Sequence, residues 1–214
     1  MGRPPALACV ASAYVTGGIP FSNVMARRRR GVDLRRVGSG TVSGTSLYRV
    51  AGFGPLALAG VCDVAKGAVG PLLAGPQDQP AVAALAAGAA VAGHNWSPFL
   101  RGAGGRGISP AIGAMLATAP AGAVVLLAGL VGGRWTGETA IGSLVADAAL
   151  VPVAGAVHGR RGAMAAAAVV VPMLVKRMAG NAPARSVAAT PASRRAVLRN
   201  RILYDRDSRT KQAA

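Results

Sequence analysis

Long apolar stretches separated by short polar connections make up most of the chain. They cover residues 7–26, 51–75, 81–93, 108–119, 121–132, 139–157 and 162–175. A helix needs about 20 residues to cross a bilayer, and apolar runs of this kind are typical of membrane-spanning helices. The pattern predicts an all-α, polytopic membrane protein with about seven transmembrane or partly spanning helices.

The two central stretches, on either side of Pro120, are each too short to span a bilayer unaided. They are either one helix kinked at the proline or two helices that meet inside the protein, where irregular backbone is tolerated. The pattern leaves both alternatives open.

The composition agrees with a membrane protein. Hydrophobic residues make up 52% of the 214 residues and charged residues only 14%, whereas a soluble domain carries about 25% charged residues. An ordinary soluble globular domain is therefore excluded. Aromatic residues reach only 4%, and the many small residues favour close helix contacts in lipid.

Basic residues, which give the chain a net charge of +17, are concentrated at two places. Residues 27–36 hold six Arg and one Asp, and the segment from residue 183 onward holds eight basic and two acidic residues. The positive-inside rule predicts that both lie in the cytoplasm. The number of spans is then odd, with the amino terminus outside, and seven is preferred to six. Because four Arg follow the first stretch and no cleavage pattern is present, that stretch is interpreted as a span and not as a signal peptide.

The composition changes at residue 183. Residues 1–182 are predicted to form the membrane domain, and residues 183–214 a basic cytoplasmic tail that lies on anionic lipid. The tail offers only Tyr204 for base stacking, so nucleic acid is not an expected partner.

A first glycine cluster, residues 38–46, reads Gly-Ser-Gly-Thr-Val-Ser-Gly-Thr-Ser and is followed by Arg49. Glycines allow backbone N–H groups to converge, hydroxyls add donors, and an Arg one helical turn further on matches a phosphate. Such a loop at a helix start is a good anion site. A flexible connection of the same composition is the alternative.

A second glycine cluster, residues 102–107, follows His94. Its letters satisfy GxGxxG, but a dinucleotide fold also needs an acidic residue about 20 positions later, and none lies between Asp78 and Glu138. This excludes dinucleotide binding and leaves an anion-binding loop beside Arg106. His94 either contributes to that loop or only bonds the end of a helix.

Asp63 and Lys66 lie inside the second apolar stretch, three residues apart on one helical face. Ionisable groups at membrane depth are costly, so the pair is either functional or a mutually neutralising pair that orients its helix. Asp147 is a similar case without an evident partner. Cys9 and Cys62 show no paired spacing, so we expect neither a disulfide framework nor a metal site.

Known catalytic arrangements are not evident in the sequence. There is no convincing Ser/His/acid set. Neither His94 nor His158 is followed five residues later by Asp, which excludes the His-x4-Asp group of glycerolipid acyltransferases.

Several short motifs in order resemble the bacterial acylphosphate-dependent glycerol-3-phosphate acyltransferases, the PlsY family, over roughly residues 6–180. The matching residues are Gly18-Ile19-Pro20-Phe21-Ser22, Gly31-Val32-Asp33-Leu34-Arg35, Gly38-Ser39-Gly40, Arg49-Val50-Ala51-Gly52, Asp63, Lys66-Gly67, Gly93-His94, Pro98-Phe99 and Gly104-Gly105-Arg106-Gly107.

The resemblance implies acyl transfer from an acyl phosphate to glycerol 3-phosphate without a cofactor, in a multi-pass protein of the bacterial plasma membrane whose site loops are cytoplasmic. It implies catalytic roles for Ser39, Arg49 and Arg106. Substrate contacts are implied for Gly38, Gly40, Thr41, Thr45, Ser46, Lys66, His94, Gly104, Gly105 and Arg177.

The chain departs from the family pattern in both glycine clusters and near its last apolar stretch. Thr41 and Ser46 replace two Asn, and Arg106 replaces a Lys. A third motif is reduced to Lys176 and Arg177, with Val171 and Leu174 in its His and Asn slots. The alternatives are therefore a non-catalytic relative that binds anionic lipid or a partner, and a small transporter that uses Asp63 and Lys66.

Overall fold

The computed structural model describes residues 4–38, 40–180 and 194–204, and within these ranges it contains helices and turns but no strand. The predicted all-α class is confirmed. The helices are α1 (Ala6–Gly17), α2 (Phe21–Arg30), α3 (Gly44–Ala51), α4 (Phe53–Ala74), α5 (Pro80–Asn95), α6 (Ile108–Thr118), α7 (Pro120–Trp135), α8 (Thr139–Ala179) and α9 (Arg194–Tyr204), with short 3-10 turns at Leu34–Arg36 and Pro98–Leu100.

Three helical stretches of the described chain are long and apolar enough to cross a membrane: Ala6–Arg30, Phe53–Ala74 and Thr139–Ala179. The first was predicted as one uninterrupted segment, but it divides into α1 and α2 at residues 18–20. Pro20 has no N–H to continue the helix. The break leaves the Ile19 carbonyl available to a partner.

Helix α8 is a hairpin, because its 41 residues reverse direction at Gly159. Gly159 has φ of 65°, which is outside the helical region. Ala154 lies against Gly162, and Arg177 near the end of α8 donates to Ser143 near its start at 3.1 Å. The two stretches predicted here, residues 139–157 and 162–175, are the two arms of this hairpin.

The residues around Pro120 form two separate helices and not one kinked helix. Helix α6 ends at Thr118 and α7 begins at Pro120, with Ala119 in an extended conformation between them. The two helices pack against each other, and Met115 of α6 lies over Gly122 of α7.

Small residues bring the helices close together. In the α1–α5 pair, Gly17 lies against the Ala90 backbone and Gly93 against the carbonyl of Tyr14, so a Cβ at either glycine would overlap backbone atoms. Large apolar side chains such as Val61 and Trp135 are instead exposed on the outside. Such a surface suits lipid better than water.

The connections lie at two ends of the bundle. At one end, Arg161 just after the Gly159 turn contacts Gln77 between α4 and α5, and the N–H of Ala121 donates to His158 at 3.2 Å. The glycine clusters and the last turn of α8 lie at the other end. Helix α9 packs there against α8, where Arg201 donates to the Ala179 carbonyl at 2.8 Å.

Candidate functional site

The two glycine clusters are in direct contact, although about 60 residues separate them in the sequence. The N–H of Val42 in the first cluster donates to the carbonyl of Gly104 in the second at 3.1 Å. The second cluster is bonded in turn to the end of α5, since the N–H of Gly105 donates to the His94 carbonyl at 3.2 Å. The fold therefore brings together the two loops that the sequence predicted as anion sites.

Hydroxyl groups of the first cluster build the start of α3. The Ser43 hydroxyl caps the helix by accepting from the N–H of Ser46 at 3.3 Å. The Ser46 hydroxyl donates to the carbonyl of the buried Thr41 at 3.0 Å. Ser46 therefore organises the loop in this structure, and its predicted substrate contact stays a prediction.

Thr45 and Arg49 occupy one exposed face of α3, four residues apart. Among the described residues, Arg49 has no hydrogen bond or ion pair. Its guanidinium remains available to a ligand at the exposed side of the first cluster.

The predicted catalytic residue Ser39 lies outside the described residues. Its neighbours Gly38 and Gly40 have φ of 54° and 70°. L-residues rarely adopt such values, so both positions require glycine for the backbone alone.

Asp63 and Lys66 form the predicted ion pair, with 2.7 Å between Lys66 Nζ and Asp63 Oδ1. Both residues are buried, with 5% and 4% exposure. Lys66 also donates to the Ile19 carbonyl at 2.6 Å, at the break between α1 and α2, and His94 Nδ1 lies 3.8 Å from Asp63. The sequence did not predict these two contacts, although Gly18-Ile19-Pro20 is a visible helix-breaking signal.

Gly104 and Gly105 are positions of close approach. A Cβ on Gly105 would overlap His94 Nε2 and lie 2.8 Å from the Val42 carbonyl, and one on Gly104 would overlap the carbonyls of His94 and Asn95. The Gly105 N–H is already bonded within the protein. A ligand at this cluster would therefore be bound mainly by the groups around the two glycines.

Arg106 connects the second cluster to α8, since its Nη1 donates to the carbonyl of Lys176 at 2.7 Å. The Lys176 ammonium lies 5.2 Å from the centre of the Trp96 ring. The sequence identifies Lys176 only as a remnant of the third motif. Its position in the last turn of an apolar stretch was the available signal.

Arg177 does not point toward the glycine clusters. Its guanidinium donates to Ser143 at 3.1 Å and to the carbonyls of Ala140 and Ile202, and lies 4.0 Å from Asp147. These contacts join the arms of α8 to each other and to α9, because a buried guanidinium needs several acceptors. The predicted substrate contact of Arg177 is without support in this geometry and stays a prediction.

A cleft of about 530 Å³ opens beside the basic segment after α2. On its wall, Asp33 lies 2.6 Å from Arg35 and 3.0 Å from Arg27. The hydrogen bond from Arg35 holds the pKa of the Asp33 carboxyl well below its usual range. At the glycine clusters, by contrast, the cavity has a volume of only about 10 Å³, roughly enough for one water.

The sequence resembles glycerol-3-phosphate acyltransferases over most of its length. The sequence model of the family described as Glycerol-3-phosphate acyltransferase matches residues 7–184. Glycerol-3-phosphate acyltransferase 4 of Dehalococcoides mccartyi strain CBDB1 is 33% identical over 216 residues, covering 97% of this chain and 92% of that protein. Glycerol-3-phosphate acyltransferase 2 of Moorella thermoacetica is 45% identical over 109 residues, covering 50% and 56% respectively.

The fold resembles that of a solved integral membrane enzyme. The crystal structure of PlsY (YgiH), an integral membrane glycerol 3-phosphate acyltransferase, in its glycerol 3-phosphate form superimposes with a TM-score of 0.72 and 29% identity, covering 80% of this chain and 88% of that chain. The lysophosphatidic acid form of the same protein gives 0.69 and 25%, with 80% and 87% coverage.

Proposed function

Since the chain belongs to the glycerol-3-phosphate acyltransferase family, we propose that its two joined glycine clusters transfer an acyl group from an acyl phosphate to glycerol 3-phosphate. Acyl transfer to glycerol 3-phosphate, a step of phospholipid synthesis in the membrane, follows from that membership. The acyl phosphate donor and the residues that carry the reaction are the proposal.

The hydrogen bond between Val42 and Gly104 is the observation that best supports this proposal. This bond joins the loop that leads to Arg49 with the loop that carries Arg106, so two guanidinium-bearing segments belong to one unit. Each substrate carries a phosphate, and Arg matches a phosphate with paired donors. We assign one phosphate to Ser39, Thr45 and Arg49, and the other reacting end to Gly104, Gly105 and Arg106.

The chemistry requires little from the protein beyond orientation and charge stabilisation. The glycerol hydroxyl oxygen attacks the acyl carbon, a new ester bond forms, and the bond from that carbon to the phosphate oxygen breaks. The hydroxyl proton goes to the departing phosphate, and the products are lysophosphatidic acid and inorganic phosphate. A mixed anhydride is already activated, so positioned cations that stabilise the oxyanion and the leaving phosphate are sufficient.

We assign Lys66 and His94 to supporting the site from α4 and α5. The contacts of Lys66 with Asp63 and Ile19 and the position of His94 against Gly105 support this role. We assign the shape of the first cluster to Gly38, Gly40 and Thr41, because of the positive φ of the two glycines and the bond to the Thr41 carbonyl. The cavity at the glycine clusters is too small for a whole substrate, so we infer that the bodies of the substrates lie over the exposed face of α3 and that only their phosphoryl and reacting ends approach the second cluster.

We propose that the site faces the cytoplasm of a bacterial inner membrane, with seven spans and the amino terminus outside. The Arg-rich residues 27–36, which begin in the last turn of α2, and the last turn of α8 lie at the end of the bundle that holds the glycine clusters, and this asymmetry supports the orientation. In this proposal residues 183–214 form a basic tail in contact with anionic lipid, within which α9 packs against α8.

Release of phosphate from palmitoyl phosphate by the full-length protein in detergent, with and without glycerol 3-phosphate, tests the proposal. Release that depends on glycerol 3-phosphate is expected from the unchanged protein. Arg49→Ala should lower kcat/KM by about 100-fold, the cost of losing one well-placed stabilising donor.

Arg160→Ala is the matched control, because Arg160 is an exposed Arg of α8 near the opposite end of the bundle. It should keep the unchanged rate. A folded protein that releases no phosphate under either condition would overturn the proposal and favour a non-catalytic, lipid-binding relative. Full activity of Arg49→Ala would remove Arg49 from the site.

A further inference from the structure

The Lys176 ammonium is a buried charge without a counter-ion among the residues that the structure describes. Lys176 is only 2% exposed, yet none of the ion pairs or hydrogen bonds of the described chain involves its Nζ. Within residues 4–38, 40–180 and 194–204, the ammonium contacts only the Trp96 ring, at 5.2 Å from its centre. A cation–π contact offsets only part of the cost of burying an ammonium group.

The surroundings of Lys176 are already positive. Arg106 bonds the Lys176 carbonyl at 2.7 Å, which keeps a second cation beside this residue. Asp63 is the nearby buried carboxylate, and it is paired with Lys66. Among the described residues, no carboxylate pairs with the Lys176 ammonium on the side of the second glycine cluster that faces α8.

Neighbouring positions on α8 add no negative or polar group to balance this charge. Pro172 and Met173 precede Lys176 by one helical turn on the same face and are apolar. The dipole at a helix carboxyl end favours a lysine there only weakly, by less than the burial of an unpaired ion costs. An anion that binds from outside the protein would complete the balance.

We propose that Lys176 binds a phosphoryl group of a substrate, next to Arg106, and thereby forms part of the acyltransferase site. The inference rests on the proposed function and adds a binding residue to it. The phosphoryl group belongs either to glycerol 3-phosphate or to the acyl phosphate, and the kinetic constants distinguish the two.

The test compares Lys176→Met and Lys176→Arg with the unchanged full-length protein in detergent, and uses Arg160→Gln as the matched loss of one charge from α8. Lys176→Met should raise the KM for one substrate at least about tenfold, as expected for a lost charge-assisted contact. Lys176→Arg should recover most of this loss, and Arg160→Gln should stay within about twofold. The substrate whose KM rises is the one that Lys176 binds.

Thermal unfolding with and without inorganic phosphate gives a readout that a structural lysine would not reproduce. Phosphate should raise the unfolding midpoint of the unchanged protein and leave that of Lys176→Met unaltered. Without phosphate, Lys176→Met should unfold at the same or a higher temperature, because an unpaired buried charge has been removed. Lys176→Gln replaces it if Lys176→Met does not fold.

Unchanged KM values for both substrates in Lys176→Met would overturn the inference, as would an unaltered phosphate-induced shift. If Lys176→Met and Lys176→Gln both unfold at a lower temperature than the unchanged protein without phosphate, Lys176 has a structural role. That result would also overturn the inference. If the unchanged protein has no acyltransferase activity, the proposed function fails. The phosphate-induced shift of the unfolding midpoint then decides by itself whether Lys176 binds an anion. Its loss in Lys176→Met then supports the anion site, and its absence from the unchanged protein excludes it.

Discussion

Single residues set the geometry of the site mainly by being small or by neutralising a buried charge. Gly105 lies against the His94 ring, and Gly104 lies against the carbonyls that end α5. Lys66 bridges α4 to the Ile19 carbonyl. These residues therefore act by permitting close approach or by connecting helices, whereas Arg49 and Arg106 carry the proposed charge stabilisation.

Gly105→Ala tests the close approach. The new Cβ would overlap His94 Nε2 and crowd the Val42 carbonyl, so the two glycine clusters would move apart. A displacement of about 1 Å can cost about 100-fold in rate, and steady-state kinetics should show a loss of that order. Gly60→Ala is the control, because its Cβ would meet nothing within 4 Å and should stabilise α4 by up to about 1 kcal/mol. Equal activity of the two variants would contradict this account.

The buried Asp63–Lys66 pair predicts a non-additive effect on stability. Lys66→Met alone leaves a buried carboxylate unpaired and should cost about 3–5 kcal/mol of unfolding free energy. The double substitution Asp63→Leu with Lys66→Met should recover most of that loss. Unfolding of these two variants and of Asp63→Leu alone, in detergent, measures the coupling. Additive losses would show that the two charges act independently.

Short elements outside the long helices hold the loops of the site in place. The 3-10 turn Leu34–Arg36 is capped by Asp33, whose carboxylate accepts from the Arg35 N–H at 3.1 Å. Helix α9 packs over the last turn of α8. Lys176 belongs to that turn, and its carbonyl accepts the hydrogen bond that positions Arg106. Helix α9 acts by satisfying backbone carbonyls at the end of α8.

Asp33 predicts a loss of stability in acid. Because its pKa is lowered in the folded protein by the hydrogen bond from Arg35, the charged form contributes stability above the unfolded-state value of 3.8. That contribution is lost as pH falls below this value toward the lower folded-state pKa. Proteolysis of the loop as a function of pH should show the loss, and Asp33→Asn should abolish that pH dependence. An Asp33→Asn protein with the same acid transition would contradict the assignment.

Arg201→Ala tests the docking of α9. Removing the bonds from Arg201 to the carbonyls of Met178 and Ala179 should cost about 1 kcal/mol, seen as about fivefold faster amide exchange in the last turn of α8. Arg199→Ala, an exposed position on the same helix, should leave that exchange unchanged. Identical exchange in both variants would mean that α9 does not stabilise this turn.

At the scale of the whole molecule, the segments that connect the helices lie in two groups at opposite ends of the bundle. One end contains the Gly159 turn and the α4–α5 connection, which contact each other through Arg161 and Gln77. The other contains the glycine clusters and most of the basic residues named above. The seven-span arrangement predicts that these ends face opposite sides of the membrane.

Cysteine labelling measures this orientation. In a protein with Cys9→Ala and Cys62→Ala, Gln77→Cys should react with a membrane-impermeant maleimide on intact cells, and Arg30→Cys only after lysis. Both positions are exposed in the structure, so access depends on the side of the membrane. The reverse pattern would place the site outside, and labelling of both on intact cells would contradict the separation of the two ends.

The order and type of elements were determined by the sequence, because spans of apolar residues and helix-breaking residues act locally. The stretches ending near Gly75 and Val175, the break at Pro120 and the Asp63–Lys66 pair were all visible as patterns of spacing. Burial of small residues likewise follows from composition. The sequence also identified both glycine clusters, because glycine-rich loops differ sharply from the apolar segments around them.

Only the tertiary structure decided which of these features meet. The Val42–Gly104 bond, the contact of Lys66 with Ile19 and the reversal at Gly159 depend on how distant segments pack, and local spacing carries no record of that packing. The same reason explains the position of Arg177. The family resemblance implied a substrate contact for it, whereas in the fold its guanidinium joins the two arms of α8. The same reason also explains Lys176, whose significance lies in burial beside Arg106, because burial is a property of the packed molecule.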